Sequence, residues 1–195
     1  MTVDRRAGAV YPVREDSELL LPFAQGTRGL TVLEVGCGRG AASLVAARAG
    51  ARVAATDLNP YAMRALKEAA RAEGVEVEVI RTDLAAGLRR FDRILANPPY
   101  LPTSPAARDP DRWVNLALDG GEDGLSVTTR LFAQLPDHLT PDGRAYVVAS
   151  SRQSEAGIAG LEVELRRRGG SVREVSHRAL GTERLFVLEI ALGRR

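Results

Sequence analysis

The chain has 195 residues, 45% of them hydrophobic and 27% charged, with 27 basic and 25 acidic side chains and a formal net charge of +2. This is ordinary globular composition, which excludes a disordered or collagen-like chain; with Cys37 as the single cysteine, it also excludes a disulfide-built scaffold. No apolar run reaches the length of a membrane span, and residues 19–24, interrupted by Pro22, are too short for a signal-peptide core, so the sequence predicts a cytoplasmic protein with no membrane partner.

Residues 1–28 mix turn formers and charge around one periodic segment, 16–24, and read as an N-terminal arm with a helix. Residues 30–35 (LTVLEV) form a short apolar run closed by glycines, the pattern of a buried strand. An Ala-rich helix over 41–49 ends at Gly50, and a second strand covers 52–56. Asn59 and Pro60 open a helix over 61–73, as a cap followed by proline in the first turn, and Gly74 stops it. Residues 75–81 and 91–96 are the third and fourth strands.

The Pro-rich stretch 98–110 is read as irregular. Asp123 is placed as the cap of a helix running to about Leu139, followed by a strand over 143–150 and a helix over 153–168. Segments 172–179 and 184–190 are too close for a helical crossover and so form an antiparallel hairpin. The prediction is therefore an α/β domain spanning 1–195, with helices on both faces of a seven-stranded mixed sheet and a C-terminal antiparallel hairpin. In such sheets ligands bind beyond the carboxyl ends of the strands, which directs attention to the residues just after strands one to four.

After strand one come Gly36, Cys37, Gly38, Arg39 and Gly40. Glycines there let a ligand approach the backbone and present amides at a helix start. Asp57, which ends strand two with Leu58 beside it, is placed to accept both hydroxyls of an adenosine ribose; a nicotinamide-dependent enzyme would show the same pair. Two further acids favour S-adenosylmethionine (SAM). Glu34 falls beside the place of a cationic aminocarboxypropyl–sulfonium group, and Asp83, followed by Leu84, can accept from an adenine amino group.

Strand four ends in Asn97-Pro98-Pro99-Tyr100. Two prolines give a rigid extended backbone whose carbonyls no helix can claim. The Asn97 side-chain oxygen and the Pro98 carbonyl can accept the two hydrogens of a planar NH2 group while Tyr100 packs on the attached π-system. Such a clamp suits an amide or aryl amine nitrogen, and catalysis would come from alignment and electrostatic stabilisation.

These motifs resemble the class I SAM-dependent methyltransferases, specifically the HemK/PrmC-type N5-glutamine methyltransferases, whose fold is Rossmann-like. The matching segments are VLEVGCGRG, TDLNP, TDL, ANPPYL and ALDGGEDGL, and the likeness covers roughly residues 10–190. Bacterial members carry an additional N-terminal helical domain, for which this chain leaves no room. The segment VYPVREDS, residues 10–17, instead resembles the short single-domain branch of archaea and eukaryotes, although the proline falls one position early at Pro12. The resemblance implies that Ser17, Glu34, Gly36, Gly38, Asp57, Leu58, Asp83, Leu84 and Asn97 contact SAM, with the arm capping it. It also implies that Asn97, Pro98 and Tyr100 hold the acceptor. The family's substrate is the glutamine of the GGQ motif in translation release factors; the short branch is also linked to protein lysine methylation and to a small zinc-containing activator subunit.

Competing readings are an N-methyltransferase for an exocyclic amine of a nucleic-acid base, one for a small molecule, and a catalytically silent SAM-binding subunit. Base-modifying enzymes generally carry a target-reading domain or a strong basic face, and neither is evident here. Arg89-Arg90 and Arg166-Arg167-Arg168 read as solvated faces. Cys37, His138 and His177 make no metal set, and Trp113 is placed either over the acceptor site or in the core.

Overall fold

The computed structural model describes residues 10–193; the first nine residues of the expected arm lie outside it. Seven strands form one sheet in the order β3-β2-β1-β4-β5-β7-β6. Strands β1 (Thr31–Val35), β2 (Arg52–Asp57), β3 (Glu78–Arg81), β4 (Phe91–Ala96) and β5 (Leu139–Ser150) run parallel. β7 (Glu183–Leu192) inserts antiparallel between β5 and β6 (Gly170–Leu180). All five residues of β1 are buried, which is why LTVLEV reads as a continuous apolar run and not as an alternation.

Alternate residues of the central strands feed two cores. Leu33, Val35, Ile94, Ala96, Ala145, Val147 and Leu188 pack beneath α6 (Ser126–His138) and α7 (Glu155–Arg167). Val32, Leu95, Val148 and Val187 point to the other face, against α1 (Glu15–Glu18), α2 (Leu21–Ala24) and α3 (Ala41–Arg48). There α4 (Pro60–Glu73) adds Leu66 and Ala70, which pack with Leu44 and Ala55. The expected helices on both faces are thus observed.

At the amino ends of the strands, Asp92 ties three of them together. Its Oδ2 accepts from the amide and hydroxyl of Thr31, at 2.8 and 2.7 Å, and its Oδ1 accepts from the Thr140 hydroxyl at 3.1 Å.

Of the boundaries that differ from the sequence reading, three have a clear local reason. β3 starts at Glu78 because the preceding residues finish the helix: Gly74 adopts a left-handed conformation and Val75 N–H returns to the Ala70 carbonyl at 3.0 Å. β5 starts at Leu139, pairs with Phe91 and then bulges through residues 140–143 before regaining register at Arg144. Asp123 does not cap α6 directly; its Oδ1 accepts from Leu125 N–H, one turn element ahead of Ser126.

One helix was not anticipated. Between the Pro-rich segment and the glycine loop, α5 (Arg112–Leu118) forms two turns, capped by Asp111, which accepts from Trp113 N–H at 2.9 Å. Within the Pro-rich segment itself, Pro105–Ala107 is a single 3-10 turn.

Candidate active site

The sheet order reverses between β1 and β4, and a cleft opens at the carboxyl ends of these strands. It encloses about 1320 Å³ of space, open solvent at its mouth included. Its walls are the segments following β1, β2, β3 and β4, closed by the arm and by one side of α5. Every candidate residue from the sequence lines it: Ser17, Glu34, Gly36, Gly38, Asp57, Leu58, Asp83, Leu84, Asn97, Pro98 and Tyr100.

The turn after β1 is held by its neighbour strand. Cys37 N–H donates to the Thr56 carbonyl at 2.9 Å, and Gly38 N–H donates to Asp57 Oδ2 at 3.0 Å. Asp57 Oδ1 accepts from Asn59 N–H at 2.8 Å. Burial pushes the Asp57 carboxyl above its usual range, and the amides of Asn59, Gly38 and Leu58 oppose that rise. Gly40, the last glycine of the turn, has φ +73°, and a Cβ there would lie 2.3 Å from Leu66 Cδ1.

Glu34 is buried at the foot of the cleft. Its Oε2 accepts both the amide of Ser43, at 2.8 Å, and the Ser43 hydroxyl. Burial nonetheless pushes its carboxyl up to about 7, with the hydrogen bonds from Ser43 pulling the other way. Burial likewise raises the Cys37 thiol well above its ordinary range, assisted by the Glu34 and Asp57 charges, which makes it a poor nucleophile.

Asp83 is half-exposed at the rim and forms an ion pair with Arg130 from α6. Leu84, beside it, has φ +54°, the one non-glycine residue with positive φ among the described residues. A leucine in the left-handed region carries on the order of 1–2 kcal/mol of backbone strain. Leu58, just after β2, lines the cleft with an exposed apolar side chain.

After β4, Asn97 lines the cleft, and its side-chain oxygen is buried with no donor among the described residues. Buried polar atoms without partners are rare, so this acceptor marks a place for a ligand donor. The backbone that follows is braced from below. Gly120 N–H donates to the Leu101 carbonyl at 2.9 Å and Thr103 N–H to the Gly121 carbonyl at 2.8 Å. Gly124, at φ +75°, fits so closely that a Cβ would lie 2.5 Å from the Tyr100 carbonyl oxygen. Gln153 Nε2 fixes the Gly124 carbonyl at 2.8 Å. The GGEDG run is thus the floor of the Asn-Pro-Pro-Tyr segment.

Tyr100 lines the cleft but is only 4% exposed, and its hydroxyl donates to Asp16 Oδ2 at 3.0 Å. It is held in place more firmly than a freely stacking ring would be. Ser17 sits at the cleft edge with its hydroxyl 3.3 Å from Asp16 Oδ1. Trp113, in the first turn of α5, meets Tyr61 edge-on at 6.2 Å between ring centroids and carries Arg112 over its face at 4.0 Å, so it walls the mouth and is not a core residue.

The remaining candidates stand apart from the cleft. His177 pairs with Glu174 on β6, while Arg166 and Arg168 pair with Glu162 and Glu164 along α7. Sequence reasoning gave no role of their own to Asp16, Arg130, Gly40 or Gly124, although Asp16 lies in the VYPVREDS motif and Gly40 in the glycine turn. The first two reveal themselves only through partners distant in the chain, but the glycine-rich run itself was a visible signal.

Residues 12–108 match the model of the methyltransferase small domain family. The chain is 32% identical to human methyltransferase HEMK2 over 92% of its own length and 88% of the relative's. The chain belongs to the HemK/PrmC-type methyltransferase family. It is 39% identical to the release factor glutamine methyltransferase of Deinococcus radiodurans over 85% of its length, which spans 64% of that enzyme. Among solved structures, Mtq2 of E. cuniculi, determined with Trm112 as the complex responsible for methylating the eRF1 translation termination factor, covers 94% of this chain and 98% of its own, with a TM-score of 0.72 and 21% identity. That likeness shows the Rossmann-like class I methyltransferase fold.

As a family member the protein is a SAM-dependent N-methyltransferase, and the cleft fits the cofactor. The cleft lining combines the acids Glu34 and Asp57, the apolar side chains of Leu58 and Leu84, and Asn97, whose side-chain oxygen has no donor among the described residues.

Proposed function

We propose that this enzyme methylates the side-chain amide of a protein glutamine, with the GGQ loop of a translation release factor as acceptor. In this reading residues 1–195 form one methyltransferase domain, whose arm caps the SAM site, and it works in the cytoplasm beside its translation-factor substrate. Glu34 lies against the cationic tail of SAM, Asp57 accepts the ribose hydroxyls, and Gly36 and Gly38 give the tail access to the backbone. Leu58 and Leu84 sandwich the adenine, Asp83 accepts from its amino group beside Arg130, and Ser17 closes the near side.

The observation that carries the acceptor reading is the open Asn97 Oδ1 beside a carbonyl-presenting diproline. Asn97 Oδ1 and the Pro98 carbonyl each take one hydrogen of the glutamine NH2 group. Holding both favours a pyramidal nitrogen, frees its delocalised lone pair and aims it along one line. Bound SAM supplies the electrophilic sulfonium methyl to which that lone pair is presented. The protein contributes alignment and stabilisation of positive charge developing on nitrogen, with no side chain needed to remove a proton beforehand. Tyr100 keeps the segment in place.

Release-factor methylation by the Deinococcus relative, and the eRF1 activity ascribed to the Mtq2–Trm112 complex, support this acceptor over a nucleobase. By the same support we extend the reading to a small activator subunit. The test is transfer of labelled methyl from SAM in parallel reactions with a GGQ-containing release factor, tRNA and DNA. Label on the release factor supports the reading; label on nucleic acid alone replaces it with the nucleobase alternative.

A further inference from the structure

The arm and the acceptor segment meet at one buried carboxylate. Asp16, in α1, is 3% exposed. Its Oδ2 accepts the hydroxyls of Tyr11, at 2.8 Å, and of Tyr100, at 3.0 Å, while its Oδ1 accepts the amide of Ser17 at 2.7 Å and the Ser17 hydroxyl at 3.3 Å. The four donors satisfy the carboxylate without any of them being a cation, and removing one leaves a buried oxygen short of a partner.

Each tyrosine is anchored at a different wall of the cleft. The Tyr11 carbonyl oxygen lies over the glycine turn, 3.7 Å from where a Gly38 Cβ would stand. Tyr100 belongs to the same buried cluster as Leu19 and Leu20 of the arm, and its carbonyl rests on Gly124. A chain of contacts therefore runs from the glycine turn through Tyr11, Asp16 and Tyr100 to the backbone that follows Asn97.

We infer that Asp16 is a positioning residue that makes the cofactor-side arm and the acceptor-side Asn97–Tyr100 segment one rigid unit, so that the acceptor carbonyls are set only when the arm is seated on the cleft. Asp16 acts through the two tyrosines and does not itself touch the transferred group. The inference rests on the proposed acceptor reading for its catalytic consequence, but its structural part does not. A seated arm then orders the acceptor clamp before chemistry, which is the economical arrangement for an enzyme whose selectivity comes from geometry.

The test uses Tyr11→Phe and Tyr100→Phe, which keep both rings and their packing, in preference to Asp16→Ala, which removes the acceptor for all four donors. Hydrogen–deuterium exchange is followed on a peptide covering residues 94–103. Tyr11→Phe is expected to speed exchange there several-fold although Tyr11 lies outside that segment. In labelled-methyl assays each single variant is expected to lose about tenfold to a hundredfold in kcat, with KM for SAM nearly unchanged. The double variant is expected to fall no further than the worse single one, since either substitution already breaks the link. Unaltered exchange at 94–103 in Tyr11→Phe, or losses that multiply in the double variant, would overturn the inference. Exchange needs no methyl acceptor, so a coupled segment in an enzyme that ignores release factors would keep this inference and remove the substrate reading.

Discussion

Ser43 donates both its amide and its hydroxyl to a single oxygen of Glu34, nine residues earlier in the chain and at the foot of the cleft. The pair joins the last part of β1 to the first turn of α3, so the same two residues shape the glycine turn and hold a carboxyl out of water. Burial outweighs those two hydrogen bonds, and Glu34 titrates at about 7, against an ordinary value of 4.5.

A pH dependence follows with a definite sign. The folded protein without cofactor binds a proton on Glu34 that the unfolded chain releases, so this residue makes stability fall as pH rises from about 4.5 to about 7. A cation seated beside Glu34 favours the ionised form, so SAM binding near neutral pH should release up to about one proton, and affinity should rise with pH between roughly 6 and 8. Calorimetry in buffers of different ionisation enthalpy reads the proton directly. Glu34→Gln should abolish the buffer dependence; a dependence that survives it would assign the proton to another group.

Asp57 has two duties, holding the Gly38 and Asn59 amides and, in the proposed function, the ribose. Asp57→Ala is therefore expected to weaken SAM binding by about a hundredfold, the equivalent of roughly 3 kcal/mol for hydrogen bonds to a charged acceptor. Unchanged affinity by calorimetry would contradict the ribose assignment.

Gly124 tests the floor of the acceptor segment. Gly124→Ala has to accommodate both a positive φ and a Cβ 2.5 Å from the Tyr100 carbonyl. Loss of about 1–3 kcal/mol in urea unfolding is expected, together with a fall in turnover at temperatures where the variant stays folded. Full activity in the folded variant would show that the glycine-rich run does not set the clamp.

Asp92 provides the contrast, since it ties β1, β4 and β5 at the end of the sheet away from the cleft. Its hydrogen bonds with Thr31 hold its carboxyl below the ordinary range, so its stabilising effect is present above the unfolded value and is lost as pH falls through the folded one. Asp92→Ala should cost about 2–3 kcal/mol in chemical denaturation while leaving SAM affinity intact. Weakened cofactor binding in the folded variant would mean that strain passes from one end of the sheet to the other.

The strands were readable because β1 and the C-terminal parts of β4 and β5 are buried on both faces and so appear as apolar runs. Most cleft-lining candidates were readable because they end or closely follow a strand, and topology sends those positions to one cleft; Ser17, in α1, is the exception. What the sequence concealed depends on distant partners. Asp16 reads only as one residue of the VYPVREDS motif until Tyr100, 84 positions away, arrives beside it. Arg130 looks like one more helical arginine until Asp83 faces it. α5 is short and follows a segment with five prolines between residues 98 and 110, so its two turns rest on the Asp111 cap and on Val114 burial and not on periodicity.

The account stands on the open Asn97 oxygen as one half of an amide clamp. The most direct test is to locate the methyl group by mass spectrometry on a GGQ-containing release factor after reaction with SAM, for the wild-type enzyme and for Asn97→Ala, with SAM affinity measured on both. The account predicts a methyl on the GGQ glutamine with the wild-type enzyme, none with Asn97→Ala, and SAM affinity largely retained by the variant. A methylated glutamine produced by Asn97→Ala at the wild-type rate would contradict it.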